Sequence, residues 1–349
     1  MRTRLTELTG IRFPIVQTGM GYVSDAGLTA ATSTAGGLGI LGSATMTLDA
    51  LKSAIAEVQR RTDAPFGVNL RADAPDAAER VEVMIAAGVR VASFALAPKQ
   101  EMIKRLKDAG VVVIPSVGAR RHAEKVAQWG ADAVIVQGGE GGGHTGPIPT
   151  SLLIPQVVSA VDIPVVAAGG FFDGRGLVAA LAYGAEGIAM GTRFLLTSDS
   201  PVADAVKQVY LGKTLTDTIV TTRVDGVPHR VLRSPLVEGL ERSGRLTGLG
   251  KAVRNAAAFR SLSGLTWRQM LREGAAMRRG GGISWSQVLM AANTPMLLKA
   301  AMVDGRPDLG VMAAGQVVGV IDDIPSCAEL IERIMTQAWD TLDGLGRFG

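Results

Sequence analysis

The first two hundred residues alternate between two patterns. Short runs of branched and small apolar residues end in glycine or a small or polar residue: PIVQTGM (14–20), LGILGS (38–43), FGVNL (66–70), VASFAL (91–96), VVVIPSV (111–117), AVIVQG (133–138), PVVAAGG (164–170) and GIAMGT (187–192). Runs of this length and composition predict buried strands. Between them lie longer stretches with apolar residues at helical spacing. In ARRHAEKVAQWGADA (119–133), Ala123, Val126 and Ala127 share one face before Gly130 ends the helix. DGRGLVAALAYGAEG (173–187) repeats the arrangement. Strand starts fall roughly 20 to 30 residues apart, room for a strand, a crossover helix and two loops, so the strands are expected to be parallel. Eight such units predict an α/β fold, the (β/α)8 or TIM barrel.

After Thr197 the rhythm stops. TTRVDGVPHRVLRSP (221–235) reads as extended, and GKAVRNAAAFRSLSG and SWSQVLMAANTPMLLKAAM read as helical. The expected organisation is a barrel over 1–199, a smaller and mainly helical domain inserted over 200–305, and a return to the barrel over 306–349. Gly37, Gly39 and Gly42 in AGGLGILG spell the dinucleotide fingerprint G-x-G-x-x-G. A true fingerprint follows a strand and opens a helix, whereas this one follows a helical stretch and opens a strand, so a Rossmann reading is rejected.

Composition narrows the picture. A chain of 349 residues, 47% hydrophobic, is long enough for a barrel with an appendage and a sizeable core. The longest uncharged run, 26–48, is studded with Gly, Ser and Thr, which argues against a membrane span. The start, MRTRLTELTG, has no apolar signal-peptide core, so a cytoplasmic enzyme is expected. The single cysteine, Cys327, excludes an internal disulfide framework and reads as packing at a helix start.

Barrel enzymes carry their chemistry at the C-terminal ends of the strands and commonly hold phosphate in the loops after strands seven and eight. Here Gly169 and Gly170 follow the seventh run, and Gly191 and Thr192 follow the eighth. Backbone N–H groups freed of side chains, with a hydroxyl beside them, suit a phosphate. The sixth run ends in QGGEGGGHTG, six glycines around His144. An imidazole there is suited to moving a proton near neutral pH. His122 reads as solvated on a helix, and His229, in GVPHR, as a packing or surface residue, with a place facing the substrate from the second domain as the alternative. No two histidines have metal-ligand spacing, so no metal is expected.

In this order and spacing, QTGM, GVNL, QGGEGGGHTG, AAGGFFDGRG and AMGTRFLLT resemble the nitronate monooxygenase family, and AGQVVG continues the similarity. Those are FMN-dependent barrels related to the flavin-containing enoyl-acyl-carrier-protein reductases. The resemblance implies FMN, with Gly19 and Met20 against the flavin ring and Asn69 and Gln137 bonding its isoalloxazine and ribityl edges. Gly142 and Gly143 would leave room for it, Gly169, Gly170, Gly191 and Thr192 would hold its phosphate, and Gln316 would lie at the rim. His144 would be the catalytic base. NAD(P)H can exchange electrons by stacking transiently on a flavin, so the rejected Rossmann motif does not exclude it.

Over the whole chain, including TTRVDGVPHRVLR and SWSQVLMAANTPMLL, the similarity is to family members acting on a steroid-derived indene carboxyl-CoA in cholesterol ring C/D degradation. It implies an oxidoreductase for an acyl-CoA thioester. Nitronate oxidation with O2 and flavin-dependent enoyl thioester reduction stay open beside it, as does the oligomeric state, homo-oligomers included.

Charge bears on the partner. Residues 242–279 hold nine basic residues and one acid, a local +8 in a chain whose net charge is only +4. A solvated helical face is the plain reading. Coenzyme A phosphates would use the same cations, with Arg254, Arg260, Arg268 and Arg272 as candidate contacts and nearby Met270, Met277, Met290 and Met296 as an adaptable apolar lining. Nucleic acid is not expected, because only Phe259 and Trp267 could stack and no binding motif is present. A membrane partner is not expected without a lipid anchor.

Overall fold

The computed structural model describes residues 1–96, 98–242 and 297–348. All eight apolar runs form strands: β1 (Ile15–Gln17), β2 (Leu38–Gly42), β3 (Phe66–Arg71), β4 (Val91–Ala95), β5 (Val112–Val117), β6 (Val134–Gln137), β8 (Val165–Ala168) and β9 (Ile188–Met190). They pair in parallel in chain order, and β1 pairs with β9 to close the barrel. Inside the predicted runs, the Gly, Thr and Ser ends have left the ladder and form the loops of the C-terminal mouth. Period-two alternation then sorts the side chains. Leu38, Ile40, Val91, Val112, Ile114, Val166 and Ala168 fill the barrel interior. Their neighbours Leu41, Ala92, Val113, Val165 and Ala167 face the surrounding helices.

The helices behave as their sequences predict. Arg120–Gln128 buries Ala123 and Val126, and Gly130 then takes a left-handed φ of 93°. Gly174–Ala182 starts at Asp173, whose side chain accepts from the Gly176 N–H. The glycines of the rejected fingerprint have a packing reason. A Cβ on Gly39 would lie 2.1 Å from the Thr29 carbonyl oxygen, and one on Gly42 would lie 2.4 Å from that of Met20. These glycines let the helix Ala26–Thr34 and the loop after β1 press onto β2.

Beyond the barrel, β10 (Thr218–Thr221) and β11 (His229–Leu232) form an antiparallel hairpin. β11 lies in the segment expected to be extended, whereas all of β10 but Thr221 precedes it. The hairpin pairs with a two-residue strand that sequence reading did not foresee, β7 (Gly143–His144), to make a three-stranded sheet at the mouth. The described parts of 200–305 also contain the helices Asp204–Leu211 and Pro235–Arg242. Arg254, Arg260, Arg268 and Arg272 and the four methionines named with them lie outside the described residues.

The return segment ties both parts together. The Leu232 N–H donates to Met312, Gly315 to the Thr192 hydroxyl and Gln316 to Glu140. The C-terminal helix Cys327–Leu345 opens with a Ser326–Glu329 capping box and packs on Gly174–Ala182 and Ala26–Thr34. Cys327 is buried there, and burial pushes its thiol up to about 12, which fits packing rather than reactivity.

The close approach at Gly39 generates a prediction. Gly39→Ala forces a methyl into backbone and is expected to destabilise the protein by about 3 kcal/mol. Gly344→Ala, in a helix with open space around it, is expected to be neutral or to stabilise by up to about 1 kcal/mol. Thermal unfolding of the two variants checks this, and equal melting temperatures would refute the packing role.

Candidate active site

The site grows from the end of β6. Its last residue, Gln137, turns its amide onto the loop that follows: Nε2 donates to the carbonyls of His144 at 2.8 Å and Gly142 at 3.3 Å. Gln137 thus holds the loop that carries the histidine. From the hairpin, the Arg230 guanidinium donates twice to the Gly139 carbonyl, at 2.9 and 3.1 Å, and once to the Thr218 hydroxyl. Glu140 points inward, its carboxylate accepting from the backbone N–H and hydroxyl of Thr150. Three elements therefore fix one loop.

The run of glycines follows from that anchoring. A Cβ at Gly138 would lie 2.1 Å from the Thr150 hydroxyl, and one at Gly141 would lie 2.6 Å from the Gln137 amide. At Gly142 it would lie 2.5 Å from the Gly315 nitrogen. The missing side chain at Gly142 admits the returning backbone at 314–315. Gly143 differs, with φ 72° and open space where a Cβ would stand. It supplies the left-handed turn that starts β7.

His144 is held by backbone on both sides. It lies opposite His229 in the β7–β11 ladder, and the Thr145 N–H donates to the Pro228 carbonyl. Its Nε2 lies 2.6 Å from Asp225 Oδ2, while the side chain stays 57% exposed at the mouth. The His229 ring stacks at 4.7 Å from it, tilted by 44°. His229 is 4% exposed, and its Nδ1 lies 3.6 Å from the same carboxylate oxygen, beyond hydrogen-bond reach. The packing expected of His229 is thus packing against the candidate base.

Asp225 was missed by sequence reading, and so was the partnership with His229. The available signal was the Asp-Gly pair in VDGVPHR, a hairpin-turn signature, and Gly226 does take φ 88°. That signature locates a turn but not the direction of the carboxylate. Partial burial pushes the Asp225 carboxyl up, but the hydrogen bond from His144 and the nearness of His229 outweigh it and hold the group well below the usual carboxylate range. Arg71 and Asp73, paired through two bonds of 2.9 and 2.6 Å, lie close enough to be felt by Asp225 and His144 respectively.

His144, Asp225 and His229 are also a set of metal-ligand type, with donor atoms all within 4.8 Å of one another. The fold assembles in space what spacing in sequence did not show. Two ligands of a tetrahedral zinc at about 2.05 Å stand about 3.3 Å apart. At 2.6 Å, Nε2 and Oδ2 are hydrogen-bonded instead.

The other expected residues ring the same mouth. Gly19 and Met20 follow β1, and a Cβ on Gly19 would collide with Asn69 of β3 at 2.3 Å. Asn69 is buried and donates to the Ser93 hydroxyl. Gly169 and Gly170 follow β8 with φ 99° and 85°, and Gly191 and Thr192 follow β9. Among the described residues no acceptor meets the N–H of Gly170 or Gly191. A Cβ on Gly191 would lie 3.3 Å from the Met20 sulfur, so the loops after β1 and β9 stand side by side. Gln316 reaches the site through its backbone bond to Glu140.

Comparison with known proteins agrees with this architecture. A family model described as nitronate monooxygenase matches residues 2–337. A Mycobacterium tuberculosis protein named (3aS,4S,5R,7aS)-5-hydroxy-7a-methyl-1-oxo-octahydro-1H-indene-4-carboxyl-CoA dehydrogenase is 67% identical over 97% of this chain and 96% of its own length. A Rhodococcus jostii protein of the same name is 60% identical over 99% of this chain and 98% of its own. Among solved structures, FabK from Thermotoga maritima superposes with a TM-score of 0.81 at 36% identity, covering 100% of both chains. No helix among the described residues is long and apolar enough to cross a membrane.

The Asp225 contact has a pH signature. A carboxyl depressed in the folded state contributes stability above its unfolded pKa, about 3.9, and loses it as pH falls through the lower folded value. The melting-temperature difference between wild type and Asp225→Asn is expected to be full at pH 7 and to shrink below about pH 4. A difference that is constant with pH, or grows on acidification, contradicts the contact.

Proposed function

The chain belongs to the nitronate monooxygenase family and is an oxidoreductase, and from that membership we propose an FMN-dependent enzyme acting on an acyl-CoA thioester of the steroid-derived indene carboxyl-CoA class. The observation that carries the substrate class is the identity of 67% and 60%, over nearly the whole chain, to two dehydrogenases of that thioester. Relatives named probable nitronate monooxygenases match at lower identity and over less of the chain, as with 33% over 68% for the one from Staphylococcus saprophyticus.

The residues at the mouth fit the cofactor. Gly170 and Gly191 offer N–H groups that no described residue pairs with where a phosphate would sit, with the Thr192 hydroxyl beside them. Met20, Asn69, Gln137 and Gly143, at the ends of β1, β3 and β6 and in the loop after β6, would hold the cofactor's ring and ribityl chain. FMN, when bound, supplies the two-electron acceptor or donor. The chain supplies orientation and proton handling: His144, exposed at the mouth and backed by Asp225, takes or delivers the proton that accompanies electron transfer. The basic run 242–279, through Arg254, Arg260, Arg268 and Arg272, is read as the CoA-binding part of a unit spanning 200–305. NAD(P)H is the proposed exchange partner for the electrons.

Three experiments test this reading. Heat release of the chromophore followed by mass analysis is expected to give FMN, and His144→Ala to keep FMN while losing turnover by about 10²- to 10⁴-fold. Recovery of FAD, or normal turnover in the flavin-replete variant, would overturn the corresponding part. In anaerobic titration, the CoA thioester is expected to bleach the flavin and to bind more tightly than its CoA-free acid, with an advantage that shrinks as salt rises. Bleaching by an alkyl nitronate alone would favour nitronate oxidation, and equal affinity for thioester and acid would remove the CoA contact.

A further inference from the structure

We propose that Asp225 is a positioning residue that fixes the tautomer of His144, holding the ring proton on Nε2 and leaving Nδ1 as the atom that exchanges the substrate proton. This rests on the reading that His144 handles that proton. An ionised carboxylate has no proton to give, so the 2.6 Å contact needs the N–H on the imidazole side. A neutral imidazole has only one N–H. Once it is committed to Asp225, the lone pair is at Nδ1. When Nδ1 takes a proton, the positive charge forms beside a carboxylate already bonded to the ring, and a bond with one charged partner becomes one with two.

The surroundings keep this arrangement in place. The Asp225 side chain is 12% exposed, and its other oxygen, Oδ1, accepts from the Val227 N–H at 3.1 Å. His229, buried under the His144 ring, restricts its rotation, and the β7–β11 ladder fixes the backbone of both histidines. Among the described residues, the charged and titratable groups around His144 are Asp225, His229 and Asp73, the last already paired with Arg71. None of these partners at Nε2 competes with Asp225.

The Val227 contact makes the test sharp. In Asp225→Asn the amide oxygen is needed on the Val227 N–H, which turns the NH2 group toward His144 Nε2. That NH2 can only donate, so Nε2 must become the acceptor and the ring proton must move to Nδ1. The chain has three histidines, so with 15N-labelled histidine the ring nitrogens of His122, His144 and His229 can be assigned by single replacement of His122 and His229. Spectra of the holoenzyme, taken at a pH where the rings are neutral, are expected to show His144 protonated on Nε2 in wild type and on Nδ1 in Asp225→Asn. The variant is expected to keep FMN and KM within a few-fold while kcat falls by about 10²- to 10⁴-fold, with a smaller loss in Asp225→Ala. An Nδ1-protonated ring in wild type, which needs no variant to fold, or the same tautomer in wild type and Asp225→Asn, overturns the positioning role. A tautomer that moves while kcat does not overturns the role of Nδ1 alone. Loss of turnover in His144→Ala is the separate check on the proton role, so the two readings fail in different measurements.

Discussion

The molecule depends on a ladder of two residues. Gly143 and His144 pair with Arg230 and His229, and through that pairing a loop of the barrel becomes the third strand of a sheet whose other strands lie far along the chain. An isolated two-residue strand has no stability of its own. It persists because Gln137 holds it from the barrel side, Arg230 from the hairpin side, and the 312–316 segment runs back across both. The histidine at the mouth is therefore placed by the hairpin as much as by the barrel. A change in the hairpin is a change in the site.

This arrangement accounts for the glycines better than cofactor clearance alone. Backbone approaches backbone at Gly142, side chain fills the space of a missing Cβ at Gly138 and Gly141, and a left-handed turn is required at Gly143. Three separate constraints converge on one stretch. The loops after β8 and β9 differ from it, because their glycines present N–H groups that no described residue satisfies. Gly138, Gly141 and Gly142 serve packing, whereas the N–H groups of Gly170 and Gly191 have no partner among the described residues.

The barrel was legible in sequence because both of its periods are local. Each strand is a branched apolar run and each helix an amphipathic one, and all eight runs became strands with a few residues released at their ends. The reversed order around Gly37, Gly39 and Gly42 was enough to reject a nucleotide fingerprint, and packing against Thr29 and Met20 gives the physical reason. His144 stood out because it interrupts a glycine run. Asp225 and His229 did not, since their role depends on a register between β7 and β11 that no local pattern encodes. The Asp-Gly pair announced a turn. Nothing in its neighbourhood said which histidine that turn would meet.

The C-terminal helix has a consequence for how the protein is made. It lies against Gly174–Ala182 and Ala26–Thr34 at once, so close to the former that a Cβ on Gly174 would lie 2.4 Å from the Ala338 nitrogen. It therefore fills the place between the helices of the seventh and first units, where β9 pairs with β1 and the ring closes. Contacts of such long sequence separation form late. During synthesis the earlier units emerge and pack while that seam is still bare, and the apolar faces of both helices wait for Ile331, Ile334 and Ala338 to leave the ribosome. The interval between emergence of the eighth strand and emergence of this helix is the time for which the nascent chain must be kept from sticking to its neighbours.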